Sequence, residues 1–347
     1  MESGIFQTTY QKDMALRRTP AQFIRLGLLL VFVLVFPFFA DNYWLTLANQ
    51  IGIAAVGAIG LNILVGYTGQ ISLGQGAFLG VGAYATGILV KQAGAPWLVA
   101  VVAACFITAL VGMLFGIPAL RLKGLYLAIA TLAAQEIIEW VIIHSPNLTG
   151  GVEAMVIPAP TLFGQRINTD FRFYWVILVC LILTIILTTN LFRTRTGRAF
   201  IAIRDQDIAA SVMGVNLFRY KLLAFAVSSF FVGLAGALTA EYRTIISWER
   251  FTLDTSILYL AMIIIGGLGS VTGAVMGAAF MTLLPAMLQL LGRTAGGAMP
   301  NILQQIPFLQ QAFFGLVIIL FLVFEPEGLA RMWRNIKDYF RLWPFSY

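Results

Sequence analysis

The sequence FYWVILVCLILTIILTTNL, residues 173–191, is one of many uncharged, apolar runs in this chain. It is followed by FRTRTGRAFIAIRDQDIAASVMGVNLFRYK, residues 192–221, and then by a second apolar run, LLAFAVSSFFVGLAGALTA, residues 222–240. Because a helix needs roughly 20 mostly apolar residues to cross a membrane, each apolar run can form one span. We therefore expect the segment between them, which we call the basic loop (residues 192–221), to lie at one membrane face.

The composition extends this interpretation to the whole chain. Of the 347 residues, 60% are hydrophobic and 11% are charged, with a mean hydropathy of +0.88, which excludes a soluble globular protein. The alternating pattern of a membrane barrel is absent. We predict an all-α integral membrane protein with ten transmembrane helices, at about 24–40, 44–65, 72–90, 97–118, 124–143, 173–191, 222–240, 255–272, 274–291 and 307–324.

The distribution of basic residues predicts the orientation. With the N-terminus in the cytoplasm, 16 of the 22 Lys and Arg residues fall in cytoplasmic segments. Such an excess of basic residues marks the cytoplasmic side of membrane proteins. We therefore predict a cytoplasmic N-terminal segment (1–22), a transmembrane permease domain (23–324) and a cytoplasmic basic tail (325–347). The basic loop then lies inside and the long segment 144–172 outside.

Two glycine-rich stretches interrupt uncharged regions that are too long for single helices. The first glycine break (residues 66–76) contains Gly66, Gly69 and Gly74, and the second (residues 265–273) contains Gly266, Gly267 and Gly269. Glycines of this kind can act as hinges or can let helices pack closely around a turn. The first break also carries polar side chains, Gln70, Ser72 and Gln75, which would line a polar path if the segment is a broken helix.

Two carboxylates, Glu136 and Glu139, lie one helical turn apart in the predicted fifth span. A carboxylate inside a membrane is costly unless it faces a cavity, the bundle interior or a partner. We therefore add Glu136 and Glu139 to the candidate translocation path, with a purely structural role as the alternative.

Several kinds of chemistry are not indicated by this sequence. It contains no G-x-x-x-x-G-K-[ST] loop to hold ATP phosphates. With one histidine and two cysteines, both within apolar runs, it offers no metal site and no catalytic set. No aromatic-interleaved basic face suggests a nucleic-acid partner. We predict a chain that is not an enzyme, binds no cofactor itself and draws energy from another polypeptide.

The basic loop has the features of a docking element. Ala199 to Val212 can form a helix, and the spacing Ala209-Ala210-x-x-x-Gly214 predicts a compact helical turn that ends at a glycine with positive φ. Such a helix would fit into a cleft on a partner protein; the alternative is an ordinary cytoplasmic loop. The predicted coupling residues are Arg198, Arg204, Asp205, Asp207, Ala209, Ala210 and Gly214.

That spacing resembles the EAA loop of ABC importer permeases, whose short helix docks on a cytosolic ATPase. Ile208 stands where the motif has glutamate, and Asp207 lies beside it. Longer stretches are similar to LivM-type permeases of branched-chain amino acid ABC importers: GYTGQISLGQGAFLGVGAYATG (66–87), TGRAFIAIRDQDIAASVMGVNLFRYKLLAF (196–225), LAMIIIGGLGSVTGAVMGA (260–278) and FEPEGL (324–329).

The resemblance implies a multi-pass permease of the bacterial inner membrane, embedded in membrane lipid. It implies a heterodimer with a LivH-type sister permease, two cytosolic ATPases of the LivG and LivF type that use ATP and Mg, and an extracytoplasmic substrate-binding protein. The alternatives are a urea or short-chain amide importer permease and a secondary transporter that works alone through Glu136 and Glu139. A membrane enzyme is suggested only by the polar outer segment.

Overall fold

The computed structural model describes residues 20–120, 122, 124–162, 165–295, 302–325 and 327–342. The helices are α1 (Pro20–Phe39), α2 (Asn42–Thr68), α3 (Gln75–Lys91), α4 (Trp97–Ala119), α5 (Leu125–His144), α6 (Pro146–Thr149), α7 (Asp170–Arg193), α8 (Arg195–Asp205), α9 (Asp207–Val212), α10 (Leu217–Arg243), α11 (Leu253–Gly266), α12 (Val271–Ala295), α13 (Ile302–Phe324) and α14 (Gly328–Leu342). Four two-residue strands are β1 (Met155–Val156), β2 (Thr161–Leu162), β3 (Gln165–Arg166) and β4 (Ile245–Ile246).

The all-α membrane fold is confirmed. Within the described residues, α2, α4, α5, α7, α10 and α12 are long and apolar enough to cross a membrane, and α13 with α14 would make a seventh span if this bent pair is one. A helix also lies at each of the other predicted runs, but α3 has 17 residues and α11 has 14. The count of ten spans and the positions of the termini therefore stay predictions.

The chain divides into two compact units, residues 1–46 and 47–347. In the first unit, α1 presents exposed apolar side chains such as Phe32 and Phe39. The second unit contains the main core, in which α10 packs against both α3 and α4. The backbones approach closely there, because a Cβ on Gly233 would lie 2.6 Å from the Thr108 side chain. Small residues at a helix crossing permit this close packing in membrane proteins.

The segment predicted to lie outside, 144–172, is short and tied to the bundle. It contains α6 and a hairpin of β2 and β3, while β1 pairs antiparallel with β4, which follows α10. The indole of Trp97, at the start of α4, donates a hydrogen bond of 3.0 Å to the carbonyl oxygen of Thr161. These links hold the segment against the ends of α4 and α10.

The basic loop forms two helices, α8 and α9, where one helix over 199–212 was predicted. The chain turns between them at Gln206, whose backbone is extended (φ −159°, ψ 99°). Asp207 then opens α9, where a carboxylate is favoured by the helix dipole. The predicted end of the helical turn at a glycine with positive φ is confirmed, because Gly214 has φ +86° just beyond α9. The predicted basic tail (325–347) contains a helix, α14, which was not predicted.

Candidate functional site: the junction of α8 and α9 with the glycine breaks

Arg204 connects the basic loop to both glycine breaks. It lies in the last turn of α8, and its Nη1 donates a hydrogen bond of 3.1 Å to the carbonyl oxygen of Gly66 in the first break. The same Nη1 lies 2.9 Å from the position that a Cβ would take on Gly269 in the second break. Its Nε donates to Oδ1 of Asp205 at 3.0 Å, which fixes the guanidinium in place. A movement of α8 would therefore reach both breaks through one side chain.

Asn62 forms a second link between the breaks. This buried side chain of α2 donates from Nδ2 to the carbonyl oxygen of Ser270 at 2.9 Å. Its Oδ1 accepts a hydrogen bond of 3.0 Å from the backbone amide of Gly269. Because Asn62 uses both ends of its amide, it fixes the backbone of the second break to α2. This link was not predicted from the sequence, although an uncharged polar residue inside the run 44–65 was a signal for it.

The glycines at this junction are required by close approach and by backbone conformation. A Cβ on Gly66 would overlap the Asn62 side chain and the backbone amide of Gly269. Gly269 itself has φ +73°, a conformation that side chains with a Cβ rarely adopt. Of the other predicted hinge glycines, Gly69 and Gly267 also have positive φ, Gly266 packs on Gly273, and Gly74 precedes α3. Whether any of them moves stays a prediction.

A polar cavity of about 260 Å³ lies under the basic loop. It is lined in part by Gln70 of the first break, by Arg204 and Asp207, and by Lys221 at the start of α10. Lys221 Nζ lies 3.8 Å from Oδ2 of Asp207, so an ion pair joins α9 to α10. Arg198, by contrast, is exposed, and within the described part of the chain its side chain donates only to the nearby carbonyl oxygen of Arg193, at 3.3 Å. The structure thus separates Arg198 from the other predicted coupling residues.

The outer surface of α9 carries an exposed apolar group, which we call the α9 patch (Ile208, Val212 and Met213). These side chains are 64%, 81% and 83% exposed. Ala209 is exposed beside them, whereas Ala210 is buried against the protein. Ile208, which replaces the glutamate of the EAA motif, is therefore a member of an apolar surface. Exposed apolar groups of this kind on a short helix are typical of interaction sites.

The predicted polar path residues are buried and bonded inside the protein. Gln75 donates to the carbonyl oxygen of Gly57 at 3.0 Å, Ser72 accepts from the amide of Gly74 at 3.4 Å, and Gln70 donates to Thr68 at 3.0 Å. These bonds hold the first glycine break in shape. Gln70 also lines the polar cavity under the basic loop, and the role of all three residues in translocation stays a prediction.

Glu136 and Glu139 do not join these polar residues in the structure. Glu136 is exposed and Glu139 is half-buried on α5. The adjacent Gln135 is instead the fully buried polar residue of that helix, a role that the sequence analysis did not assign to it. Glu136 thus faces away from the core, whereas Glu139 shares a side-chain hydrogen bond with the buried Gln135. The assignment of the two carboxylates to a translocation path remains untested.

Gln135 is the centre of a buried hydrogen-bond network between α3, α5 and α11. Its Oε1 accepts from the backbone amide of Ala77 at 2.6 Å and from the hydroxyl of Ser256 at 3.1 Å. Its Nε2 donates to the carbonyl oxygen of Phe251 at 2.7 Å, and the Ser256 hydroxyl in turn accepts from the amide of Gly76 at 2.7 Å. The start of α3, next to the first glycine break, is thereby tied to α5 and α11.

A third carboxylate, Glu241, was also missed. It lies near the end of α10, just past the predicted run 222–240, and its side chain is fully buried. Neither carboxylate oxygen has a hydrogen-bond partner among the described residues. A buried carboxylate of this kind in a membrane protein is a functional-site candidate by default. The signal in the sequence was weak, because Glu241 stands close to the charged residues that end the run.

The comparisons with known proteins agree with this architecture. The family model described as "Branched-chain amino acid transport system / permease component" matches residues 43–322, which include both glycine breaks and the basic loop. The chain belongs to this family. The resemblance noted in the sequence is thereby confirmed, and with it the class of protein, a membrane permease component.

Similar permeases come from bacteria and an archaeon. The high-affinity branched-chain amino acid transport system permease proteins LivM of Salmonella typhimurium and Escherichia coli are each 30% identical to this permease over 91% of its chain and 76% of theirs. The probable LivM of Methanocaldococcus jannaschii is 25% identical over 83% of this chain and 84% of its own. Among solved structures, none matches the permease significantly.

The Gln135 network leads to a stability prediction for the permease. Replacing Gln135 with leucine, which has a similar volume, would leave the Ala77 amide and the Phe251 carbonyl buried without partners. Each orphaned group costs about 1–3 kcal/mol. We expect Gln135→Leu to lower the free energy of unfolding by about 3 kcal/mol or more, seen as a lower melting temperature in detergent. The matched control is Glu136→Gln at the exposed neighbouring position. It should change the free energy of unfolding by less than about 0.5 kcal/mol.

Proposed function

We propose that this chain is the membrane-spanning permease subunit of an ABC importer that moves branched-chain amino acids into the cytoplasm of a bacterium across its inner membrane. The match of the family model to residues 43–322 is the observation that carries the proposal. The names of the similar LivM proteins support this class of substrate. In the same proposal, the partners are a LivH-type sister permease, LivG-type and LivF-type ATPases and an extracytoplasmic binding protein.

The energy for transport comes from those partners. ATP and Mg bind to the cytosolic ATPases, and this chain holds neither. One of the ATPases binds the α9 patch, whose three apolar side chains lie open on the surface. The acidic contact of the EAA motif is replaced here by the apolar contact of Ile208. Burying an apolar side chain at such an interface contributes about 1.5–3 kcal/mol.

Closure of the ATPase dimer moves α9 and, through the ion pair of Asp207 with Lys221, the start of α10. It also moves α8, which carries Arg204. Because Arg204 donates to Gly66 and lies against Gly269, the motion reaches both glycine breaks at once. The breaks connect α2 to α3 and α11 to α12, so their rearrangement alternates access to the two sides of the membrane.

The transport of leucine by the assembled complex tests this proposal. The chain, co-purified with the products of its neighbouring genes and placed in proteoliposomes, is expected to take up labelled leucine when ATP and the binding protein are supplied. Unlabelled isoleucine and valine should compete, and urea should not. Competition by urea but not by leucine would instead assign the permease to urea or amide import. Uptake by the single chain in an ion gradient without ATP would contradict an ABC importer altogether.

A further inference from the structure

The helix at the end of the described chain, α14, has two different faces. Apolar side chains recur at the helical spacing of Leu329, Met332, Trp333 and Ile336. Basic side chains occupy the opposite face, at Arg331, Arg334 and Lys337. From 331 to 339 every residue of α14 is exposed, including Trp333 at 61%. The second half of the preceding helix α13, from Ala312 to Phe324, contains no charged or amide side chain, so α14 differs sharply from it.

The first turn of α14 is fixed against the second glycine break. Ala330 is buried, and its Cβ lies 3.3 Å from the position of a Cβ on Gly267. The same position on Gly267 is 2.7 Å from the carbonyl oxygen of Glu327. The helices Ala312–Phe324 and Gly328–Tyr339 meet at an angle of 52°. The exposed part of α14 therefore begins at the end of an apolar helix and turns away from that helix's axis.

We propose that α14 lies on the membrane surface, with its apolar face among the lipid acyl chains and its basic face on anionic lipid headgroups. A helix with one apolar and one basic face binds the interface in this way, and tryptophan is favoured at that depth. The charges fit an anionic surface. Arg331 pairs with Glu327, so Arg334 and Lys337 remain to bind lipid phosphates, opposed in this turn only by Asp338.

This contact would give the permease a dependence on lipid charge. Anionic lipids that hold the outer turns of α14 also hold its first turn, Gly328 to Ala330, against Gly267. The second glycine break is then supported from the membrane side by α14 and from the basic loop by Arg204. The proposal does not depend on the substrate or on the ATPase partners.

The experiment measures which face of α14 is in contact with lipid. Cys105 and Cys180, the two native cysteines, are replaced with alanine, and a fluorescent label is attached at Ile336→Cys on the apolar face or at Asn335→Cys as the matched control. The single full-length chain is placed in nanodiscs of phosphatidylcholine, with or without phosphatidylglycerol. Quenching by brominated lipid and by a water-soluble quencher is then compared.

In discs with phosphatidylglycerol, we expect the label at residue 336 to be quenched mainly by brominated lipid and the label at residue 335 by the water-soluble quencher. Each basic residue near an anionic surface contributes about fivefold to binding, so Arg334→Gln with Lys337→Gln should lower the ratio of lipid to water quenching by about 25-fold. A higher salt concentration should also lower this ratio, because salt screens the attraction between the basic residues and the anionic lipid. Phosphatidylcholine alone should give the smaller ratio.

Equal water quenching at residues 335 and 336 in anionic discs would overturn the proposal. So would shielding of residue 336 that appears only when the sister permease or an ATPase is added, because α14 would then be a protein interface. If the cysteine replacements disturb folding, the native chain gives the same answer. In that case tryptophan fluorescence is measured in the native chain and in Trp333→Phe. The difference in quenching by brominated lipid between the two reports the lipid contact of residue 333.

Discussion

Replacing Arg204 with alanine is expected to lower ATP-dependent uptake by about thirtyfold, while the chain still folds and still binds its ATPase. The guanidinium donates to the carbonyl oxygen of Gly66 and lies against Gly269, so its removal disconnects α8 from both glycine breaks. A hydrogen bond from a charged group contributes about 1.5–3 kcal/mol. A rise of about 2 kcal/mol in the free energy of the conformation that the ATPase drives gives the thirtyfold decrease in uptake. The measurement is the initial rate of leucine uptake in proteoliposomes.

Arg198→Ala is the matched control for that variant. It removes an arginine from the same helix, but one that is exposed and bonded only to the carbonyl oxygen of Arg193. Uptake should stay within about twofold of the native rate, as expected for a surface substitution. Equal losses in both variants would mean that the positive charge of the loop matters and the contact of Arg204 with the breaks does not. Arg204→Lys should recover little activity, because an ammonium group cannot reproduce the geometry of the guanidinium fork.

The second large effect is expected at the α9 patch. The double variant Ile208→Asp with Val212→Lys replaces two exposed apolar side chains with charges, placed so that each suits its end of the helix dipole. Because apolar anchor residues of an interface contribute about 2 kcal/mol each, we expect the loss of two to weaken ATPase binding by about a thousandfold. The measurement is the apparent Kd of the ATPase for the permease in detergent, with the melting temperature recorded alongside.

Val152→Asp is the control for the α9 patch. Val152 is 69% exposed, comparable with Ile208, and lies in the segment 144–172, far along the chain from the basic loop. It should leave ATPase binding and melting temperature unchanged if the patch is specific. An unchanged Kd in the double variant would exclude the α9 patch as the docking site. A lower melting temperature in the double variant alone would point to a structural role for these side chains.

The parts of this architecture that depend on local sequence could be predicted. The apolar runs, the two glycine breaks and the position of the basic loop follow from composition and charge, and the positive φ of Gly214 follows from the A-A-x-x-x-G spacing. The division of the loop into α8 and α9 did not follow. The extended backbone at Gln206 interrupts a segment whose residues could all join one helix.

The links between distant segments could not be predicted in the same way. Asn62 bonds to residues about 200 positions later, and Gln135 joins three helices. In a single sequence Asn62 is a polar residue within an apolar run and Gln135 stands beside Glu136, and most of their partners are backbone groups that carry no signal. Arg204 was selected for its charge on a presumed docking surface, yet the structure places it at the glycine breaks.

The coupling role of Arg204 is tested by the ratio of leucine molecules imported to ATP molecules hydrolysed, measured in proteoliposomes for the native complex and for Arg204→Ala. If α8 relays the work of the ATPase to the glycine breaks through Arg204, the ratio should fall about tenfold or more in the variant while ATPase binding and ATP hydrolysis continue. An unchanged ratio, with hydrolysis and uptake falling together or not at all, would contradict the account.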